Sequence, residues 1–324
     1  MYGVYQALEA AQLGSPDLFV GHAGFGTLGL LHVAYQRVPT IGYFEWFYDP
    51  FKPETYSRPH EDTPLPNVMR MPLRNASQLL ELEYCTKGYS PTRFQRRTYP
   101  ETYQHKLSTR FDGIDTELYQ PGIPSSGSRL ERTWPAEAKL VTFVSRGLEA
   151  FRGFDIFMEV AHKLSLKRED VHFAIAGRPQ TNYGNENNLK DDVMKRLPYD
   201  LNRFHFFEWL PEPALADLFR ISDCHFYWTI PFTLSWSFFQ AMASGCLVLA
   251  SDSEPVRDVL AHQQNGLMAQ PYDIDEMVEK LGEALDKPRQ FQALRDAARE
   301  TIVNQYSFQV CLPKLAEFYL AETV

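Results

Sequence analysis

From residue 139 onward, short runs of β-branched and aromatic residues alternate with longer stretches whose apolar positions recur every three or four residues. The short runs fall at 140–144, 171–176, 204–207, 224–228, 246–250 and 266–269 and read as strands. Between the first two, Phe154, Phe157, Met158, Ala161 and Leu164 line one face of a helix. Strands alternating with helices predict a parallel sheet, and each step fits a right-handed crossover. The six runs therefore predict a doubly wound, Rossmann-like domain.

The pattern before residue 139 is less regular. Strands are predicted at 17–21, 38–43, 84–88 and 106–109, with helices at 26–35, 74–83 and 91–99. The proline-rich stretch 46–72 has no period and reads as a long functional loop. Residues 112–135, with Gly113, Pro121, Gly122, Pro124, Ser125, Ser126, Gly127 and Ser128, have the composition of an interdomain linker. At the far end, Phe308, Cys311, Leu312, Leu315, Phe318 and Tyr319 make a last amphipathic helix. The expected division is a first domain at 1–115, a second at 116–307, and a helix at 308–324 packing back on the first. No internal repeat interrupts this order.

Composition narrows the picture. A chain of 324 residues is long enough for two cores, and 44% apolar with 14% aromatic content marks a folded protein. The 32 basic and 41 acidic residues leave a formal charge of −9, which argues against general nucleic-acid binding. The cysteines, Cys85, Cys224, Cys246 and Cys311, form no C-x-x-C pair, and Cys224 and Cys246 sit in apolar runs, as in reduced core positions. There is no charged-then-apolar leader pattern at the start and no run of about 18 apolar residues, so the expectation is a soluble, cytoplasmic protein.

Candidate chemistry concentrates in two stretches. Ser145-Arg146-Gly147-Leu148-Glu149-Ala150-Phe151-Arg152-Gly153-Phe154 follows a strand and opens a helix at the carboxyl edge of the sheet. Ligands of open α/β sheets bind at that edge, where a helix start offers free N–H groups and partial positive charge. Arg146 and Arg152 there suit a diphosphate, through charge-assisted and bidentate hydrogen bonds. The plainer reading pairs both arginines with carboxylates such as Glu149 or Asp155, and spacing alone leaves the two open. In the second stretch, 227–245, a strand ends near Trp228, a turn follows, and Ser235 is a natural N-cap. The amides after it face any anion at the strand ends; Phe238, Phe239 and Met242 are core in either reading.

These stretches, followed in order by Ser251-Asp252-Ser253-Glu254-Pro255-Val256-Arg257 and Asn265-Gly266-Leu267, resemble the donor domain of family 4 retaining glycosyltransferases of the GT-B fold. The wording Arg-Gly-Leu-Glu-x-x-Arg-Gly-Phe from Arg146 and Pro-Phe-x-Leu-Ser-Trp-Ser from Pro231 resembles a bacterial subgroup. The resemblance spans roughly 15–323 and is strongest over 139–270. It implies an α/β protein with two Rossmann-like domains facing a cleft, an acceptor side first and a donor side second. It implies transfer of a sugar from a nucleotide-diphosphate sugar, UDP- or GDP-linked, to a glycan or lipid-linked acceptor hydroxyl in polysaccharide biosynthesis. Retention of configuration, no obligatory metal and no cofactor beyond the sugar nucleotide also follow from the resemblance.

Carried over residue by residue, Arg146 and Arg152 hold the donor diphosphate, the latter standing where lysine is commoner. Glu149, Gly153 and Arg178 line the donor side, with Ser235, Trp236 and Ser237 presenting main-chain amides. Two family glutamates with seven residues between them are Phe232 and Gln240 here. Gln240 accepts hydrogen bonds from a ribose without the charge of a carboxylate. In the first domain, His22 corresponds to a histidine that contacts the transferred sugar. Gly24, Glu45 and Trp46, in small-residue and aromatic turns after strands, are the acceptor-side candidates. His22 as a structural residue, and Glu45 and Trp46 as a salt bridge and loop anchor, are the alternatives.

A basic cluster, Arg93, Arg96, Arg97, Lys106 and Arg110, suits either an anionic membrane surface or a solvated helix face. The family's opening strand and glycine-rich turn find no counterpart; either the first domain is shortened, with an edge open to a second copy or a partner chain, or the sequence is a fragment or begins at a shifted start. Gln240, Phe232 and that shortening favour an alternative, a non-catalytic subunit that binds the sugar nucleotide or supports a partner transferase.

Overall fold

A computed structural model of the chain describes residues 2–11, 14–25, 28–52, 62–124, 130, 134–179 and 189–321. The chain divides into two compact units. The first comprises Met1–Gly113, Pro231–Thr233 and Gln309–Val324, and the second Ile114–Ile230 and Leu234–Phe308. Both are built on parallel sheets. No described helix is long and apolar enough to cross a membrane.

In the first unit β1 (Phe19–His22), β2 (Thr40–Tyr43), β3 (Lys87–Ser90) and β4 (Leu107–Thr109) pair in that order. Helices α1 (Tyr2–Ala11), α2 (Leu28–Ala34), α3 (Leu65–Tyr84) and α4 (Arg93–Arg97) belong to it. Phe44, fully buried, packs with Leu82, Cys85, Tyr99 and Leu107 at the centre of its core. A Cβ on Gly42 or Gly88 would stand 2.3 or 2.5 Å from the Phe44 ring, so neighbouring strands carry glycine beneath it.

Two expectations change here. The loop expected over 46–72 ends at residue 64, because α3 begins at Leu65 and runs through Pro72; residues 53–61 of that stretch lie outside the described residues. Proline suits the first helical turn, where Pro66 stands, but Pro72 lies in the interior and costs one hydrogen bond. The inward face of α3 is largely polar, which hides its period from a hydrophobic reading. Asn75 Oδ1 accepts from the Tyr48 N–H at 3.0 Å, Gln78 Oε1 from the Tyr99 hydroxyl at 2.8 Å, and Glu81 Oε1 from the Leu28 N–H at 3.1 Å. Because α3 continues to Tyr84, β3 starts at Lys87, later than expected.

The second unit holds β5 (Lys139–Gly147), β6 (Val171–Arg178), β7 (Phe204–Phe207), β8 (Cys224–Tyr227), β9 (Val248–Ser251) and β10 (Leu267–Ala269), in the order β10-β9-β8-β5-β6-β7. Its helices are α5 (Phe154–Lys167), α6 (Leu189–Arg196), α7 (Glu212–Ile221), α8 (Trp236–Ala243), α9 (Glu254–Arg257), α10 (Ile274–Asp286) and α11 (Gln292–Gln305). The last helix, α12 (Phe308–Leu320), groups almost entirely with the first unit, where the Tyr319 and Tyr89 hydroxyls meet at 2.6 Å.

Alternation along the strands sends side chains to opposite faces of this sheet. On one face Phe157 of α5 packs against Phe143, Phe173 and Phe226, with centroids 5.0, 6.3 and 5.3 Å away. On the other, Leu140, Ala174 and Ala176 pack with Leu218 of α7. The expected linker is anchored at its start: Ile114 donates its N–H to Tyr306 O at 2.8 Å, and Arg299 Nη1 donates to Tyr119 O at 3.0 Å. Its residues 125–129 and 131–133 lie outside the described residues.

At the sheet centre, fully buried His225 hydrogen-bonds Thr142 Oγ1 through Nδ1 at 3.0 Å, while its Nε2 has no partner. Burial drops its pKa from 6.5 to about 3. Between those values the unfolded chain takes up a proton that the folded chain refuses, so stability falls as pH drops through that window. Replacing it, His225→Gln, is expected to remove about 2 kcal/mol of the stability lost between pH 7 and pH 5. Urea melts at both pH values read this; an unchanged difference would contradict the buried neutral imidazole.

Candidate functional site

The strand order fixes where a site can form. Relative to β5, the chain adds β6 and β7 on one side, then returns to add β8, β9 and β10 on the other. At such a reversal the flanking connections leave on opposite faces and open a crevice at the carboxyl ends of the strands. A cavity of about 460 Å³ occupies that position. Its lining comes from the end of β5 (Val144, Ser145, Arg146), the end of β6 (Ala176, Gly177, Arg178) and the turn after β7 (Glu208, Trp209, Leu210). The start of α8 (Ser235, Trp236, Ser237, Gln240), Glu212 and Leu215 of α7, and Tyr119 complete it.

The floor is rigid. Gly177 is fully packed: a Cβ there would lie 2.9 Å from Ser145 O and 2.7 Å from Leu148. The Ser145 hydroxyl donates to Gly147 O at 2.7 Å, where the β5–β6 register slips between Val144 and Gly147. That irregularity is the point from which Arg146 leaves the strand, exposed. Arg178 is likewise exposed at the end of β6, and neither makes an ion pair among the described residues. The alternative pairing of Arg146 with Glu149 or Asp155 is not found there; Asp155 faces Arg196 at 3.9 Å.

The start of α8 is set from two sides. Ser235 Oγ caps the helix, accepting from the Ser237 N–H at 3.4 Å, and the Ser237 hydroxyl donates to Val144 O at 3.0 Å. The Tyr227 hydroxyl, at the end of β8, accepts the Ser235 N–H at 2.9 Å. No acidic residue stands in the first turn, so the partial positive charge of the helix start is not offset by the helix itself. Two guanidinium groups and a helix N-terminus thus share one cavity, an arrangement that attracts a phosphorylated ligand.

Of the donor-side candidates, Arg146, Arg178, Ser235, Trp236, Ser237 and Gln240 line this cavity; Glu149, Arg152 and Gly153 do not. Arg152 donates to Thr229 Oγ1 at 3.4 Å and lies against Tyr227, whose phenol it helps to ionise against the stronger effect of burial. It therefore stands behind the hydroxyl that fixes the start of α8. Glu149 is buried, and its carbonyl accepts the N–H groups of Arg152 and Phe154. Tyr119, Glu208, Trp209 and Glu212 were not expected. Position at a strand's carboxyl end marks the turn after β7; nothing in the linker-like composition around Tyr119 marks that residue.

In the first unit the remaining candidates gather at the carboxyl edge of its own sheet. His22 Nδ1 accepts the Gly24 N–H at 3.0 Å, which leaves Nε2 to donate to Glu45 at 3.1 Å. His22, Tyr43 and Tyr89 stand in register on adjacent strands. The Tyr43 hydroxyl donates to Asp112 at 3.2 Å. Burial pushes the Asp112 carboxyl above its ordinary value, partly offset by that hydrogen bond, with the Glu45 charge adding to the rise. Trp46 is 7% exposed and packs edge-on to Phe232 at 4.6 Å in the same unit. Its ring is buried, and so is Phe232, which does not line the cavity.

Comparison with known proteins gives two family matches. The family described as glycosyl transferases group 1 matches residues 128–301, and the glycosyl transferase family 4 group matches residues 1–119. An MMP alpha-(1->4)-mannosyltransferase of Mycolicibacterium hassiacum is 23% identical over 198 residues, covering 61% of this chain and 44% of that protein. The match thus spans less than half the length of that curated relative. Among solved structures, sucrose-phosphate synthase from Thermosynechococcus elongatus superposes with a TM-score of 0.76 at 15% identity, over 98% of this chain and 76% of the other. Anabaena HepE in complex with UDP-glucose gives 0.76 at 16% identity, over 99% and 81%. These likenesses establish the GT-B fold.

Gly153 separates the turn at Ala150–Arg152 from α5 with φ +70°, and a Cβ there would meet the Trp228 ring at 2.5 Å. Both the left-handed backbone and the close approach require glycine. Gly153→Ala is expected to destabilise the protein by about 2 kcal/mol or more, read as a lowered urea midpoint; an unchanged midpoint would contradict the packing against Trp228.

Proposed function

The chain belongs to the group 1 glycosyl transferases, of family 4 and the GT-B fold, and from that premise we propose that it moves a sugar from a nucleotide-diphosphate donor to a hydroxyl of a glycan or lipid-linked acceptor, with retention of configuration. The observation that carries this reading is the convergence of Arg146, Arg178 and the start of α8 on one cavity at the sheet's reversal point. HepE, whose fold this chain shares, is known in complex with UDP and with UDP-glucose, which supports a UDP-linked donor.

In this reading the bond between the anomeric carbon and the diphosphate oxygen breaks, and the acceptor oxygen bonds to the same carbon. The acceptor's proton passes to the departing diphosphate. Charge grows on that diphosphate in the transition state, and preformed donors facing it lower the barrier. Arg146 and Arg178 supply charge, the start of α8 supplies its partial positive charge and the Trp236 amide, those of Ser235 and Ser237 being engaged by Tyr227 and Ser235 Oγ, and Arg152 holds the Tyr227 hydroxyl that positions Ser235. No carboxylate nucleophile is required. On the acceptor side, Glu45 is held by His22 and carries the polar group best placed to orient a hydroxyl. Retention, the acceptor and independence from a metal belong to this proposal.

A second reading, a subunit that binds the sugar nucleotide without transfer, is favoured by Gln240 standing in the cavity without a carboxylate's charge. One set of measurements addresses both. Thermal unfolding with UDP-, GDP- and ADP-linked sugars is expected to show one nucleotide stabilising the protein by about 2 to 3 kcal/mol at a hundredfold excess over its Kd. Arg146→Ala is expected to remove most of that gain, since charge-assisted hydrogen bonds contribute about 1.5–3 kcal/mol each. Stabilisation that survives Arg146→Ala would overturn the diphosphate anchor. Release of nucleoside diphosphate from the bound donor supports transfer; binding with no release supports the second reading.

A further inference from the structure

Helix α3 of the first unit is inverted for a helix on a protein surface. Such a helix normally turns its apolar stripe to the core and its polar face to water. Here Asn75, Gln78 and Glu81 face inward and are buried. Leu65, Met69, Leu73, Leu80 and Tyr84 face outward instead, each between 40% and 75% exposed. Ala76, also exposed, lies among them. Residues three or four apart share a helix face, so these six form one stripe along the whole of the 20-residue helix. At 1.5 Å per residue the stripe is about 30 Å long. Single exposed apolar side chains are ordinary, but a contiguous apolar face of this size marks an interaction site.

The spacing of the stripe selects what covers it. Successive members are four, four, three, four and four positions apart, the same series read from either end. An antiparallel copy of the helix therefore meets it with no residue out of step. Leu65 comes opposite Tyr84 of the second copy, Met69 opposite Leu80, and Leu73 opposite Ala76, and the same pairs recur across the two-fold axis. At the centre the large Leu73 meets the small Ala76, which lets the helix axes approach closely. Electrostatics favours the same direction, because antiparallel helices set each positive N-terminus beside a negative C-terminus. Glu83, exposed near the end of α3, comes opposite the first turn of the second copy's helix, where no acidic residue offsets the partial positive charge.

We propose that this face is a self-association surface through which two copies of the chain pair, α3 against α3, in an antiparallel dimer. The stripe offers on the order of 600 Å² per copy, so two copies reach the lower end of the roughly 1,200–2,000 Å² of stable interfaces. A lipid surface fits less well. A helix lying on a membrane leaves a basic polar face to water. The polar face of α3 packs into the protein, with Arg70 and Arg74 at its margin, and the chain's charge of −9 opposes an anionic bilayer.

Sedimentation velocity of the full chain is expected to show a dimer forming over micromolar concentrations. Leu73→Glu would bury an unpaired carboxylate near the two-fold axis and is expected to weaken association at least about a hundredfold. Leu73 is exposed in the single chain, so the variant is expected to fold with an unchanged circular dichroism spectrum. Cysteine cross-linking reads the register, since the four native cysteines are buried. Met69→Cys combined with Leu80→Cys is expected to join two copies under mild oxidation. Met69→Cys alone is expected not to, because its two copies would stand about 16 Å apart along the axis, beyond disulfide reach. A wild type that stays monomeric to about 100 μM overturns the proposal, and its flotation with phosphatidylglycerol vesicles would then assign the face to lipid. Undiminished association of Leu73→Glu, or cross-linking of Met69→Cys alone, overturns the antiparallel pairing through α3.

Discussion

Everything in the second unit follows from β5 lying between β6 and β8 in a parallel sheet. Parallel pairing puts every carboxyl end on one edge, and the reversal of strand order at β5 sends the connections on its two sides to opposite faces. The edge is left open only there. The core that holds β5 in place is aromatic: Phe143 is stacked on Phe157 of α5, which also touches Phe173 and Phe226 on the neighbouring strands. Truncating a ring of this kind typically costs about 3–5 kcal/mol. The same packing that closes the sheet therefore fixes the spacing of the strand ends from which Arg146 and Arg178 project.

Small residues and capped turns convert that scaffold into a defined wall. Gly177 lets β6 approach the carbonyl of Ser145, and Gly153 lets the chain turn beneath Trp228. The serines at the start of α8 are tied to β5 through Ser237 and Val144, and to β8 through Ser235 and Tyr227. The helix start is thus held by two strands at once, with the Ser235 and Ser237 N–H groups engaged by the Tyr227 hydroxyl and Ser235 Oγ and only that of Trp236, of the three expected donors, left for a ligand. Preorganised donors need no rearrangement when charge appears, which is the property a leaving diphosphate requires.

The sheet of the second unit was legible in the sequence because its strands are apolar and its connecting helix α5 is amphipathic; the expected runs and the observed β5 to β10 overlap throughout. The first unit was harder to read for a reason visible in α3. Its inward face carries Asn75, Gln78 and Glu81, each paired with a backbone or hydroxyl partner from elsewhere in the unit. A helix held by polar contacts has no hydrophobic period to detect, and Pro72 argued further against one. For the candidate site, motif spacing located the turn after β5 and the start of α8, but spacing along the chain cannot say which way a guanidinium turns. Arg146 borders the cavity whereas Arg152 lies on Thr229 and Tyr227. Tyr119 was invisible because its place is decided by Arg299 and Arg220, far away in sequence.

A chain with a formal charge of −9 must solve an electrostatic problem before it can hold an anion. Net charge acts over distances that salt screens, roughly 8–10 Å at physiological ionic strength, whereas the cavity is small enough for its own groups to dominate. Within about 460 Å³ the lining carries Arg146, Arg178 and the start of α8 together with Glu208 and Glu212. That polarity does more than admit an anion. Phosphates set against the arginines and the helix start meet opposite charge, whereas phosphates set against the carboxylates meet like charge. Carboxylates in the lining would thus disfavour any pose that sets phosphates against them, a selectivity that a uniformly basic pocket could not supply.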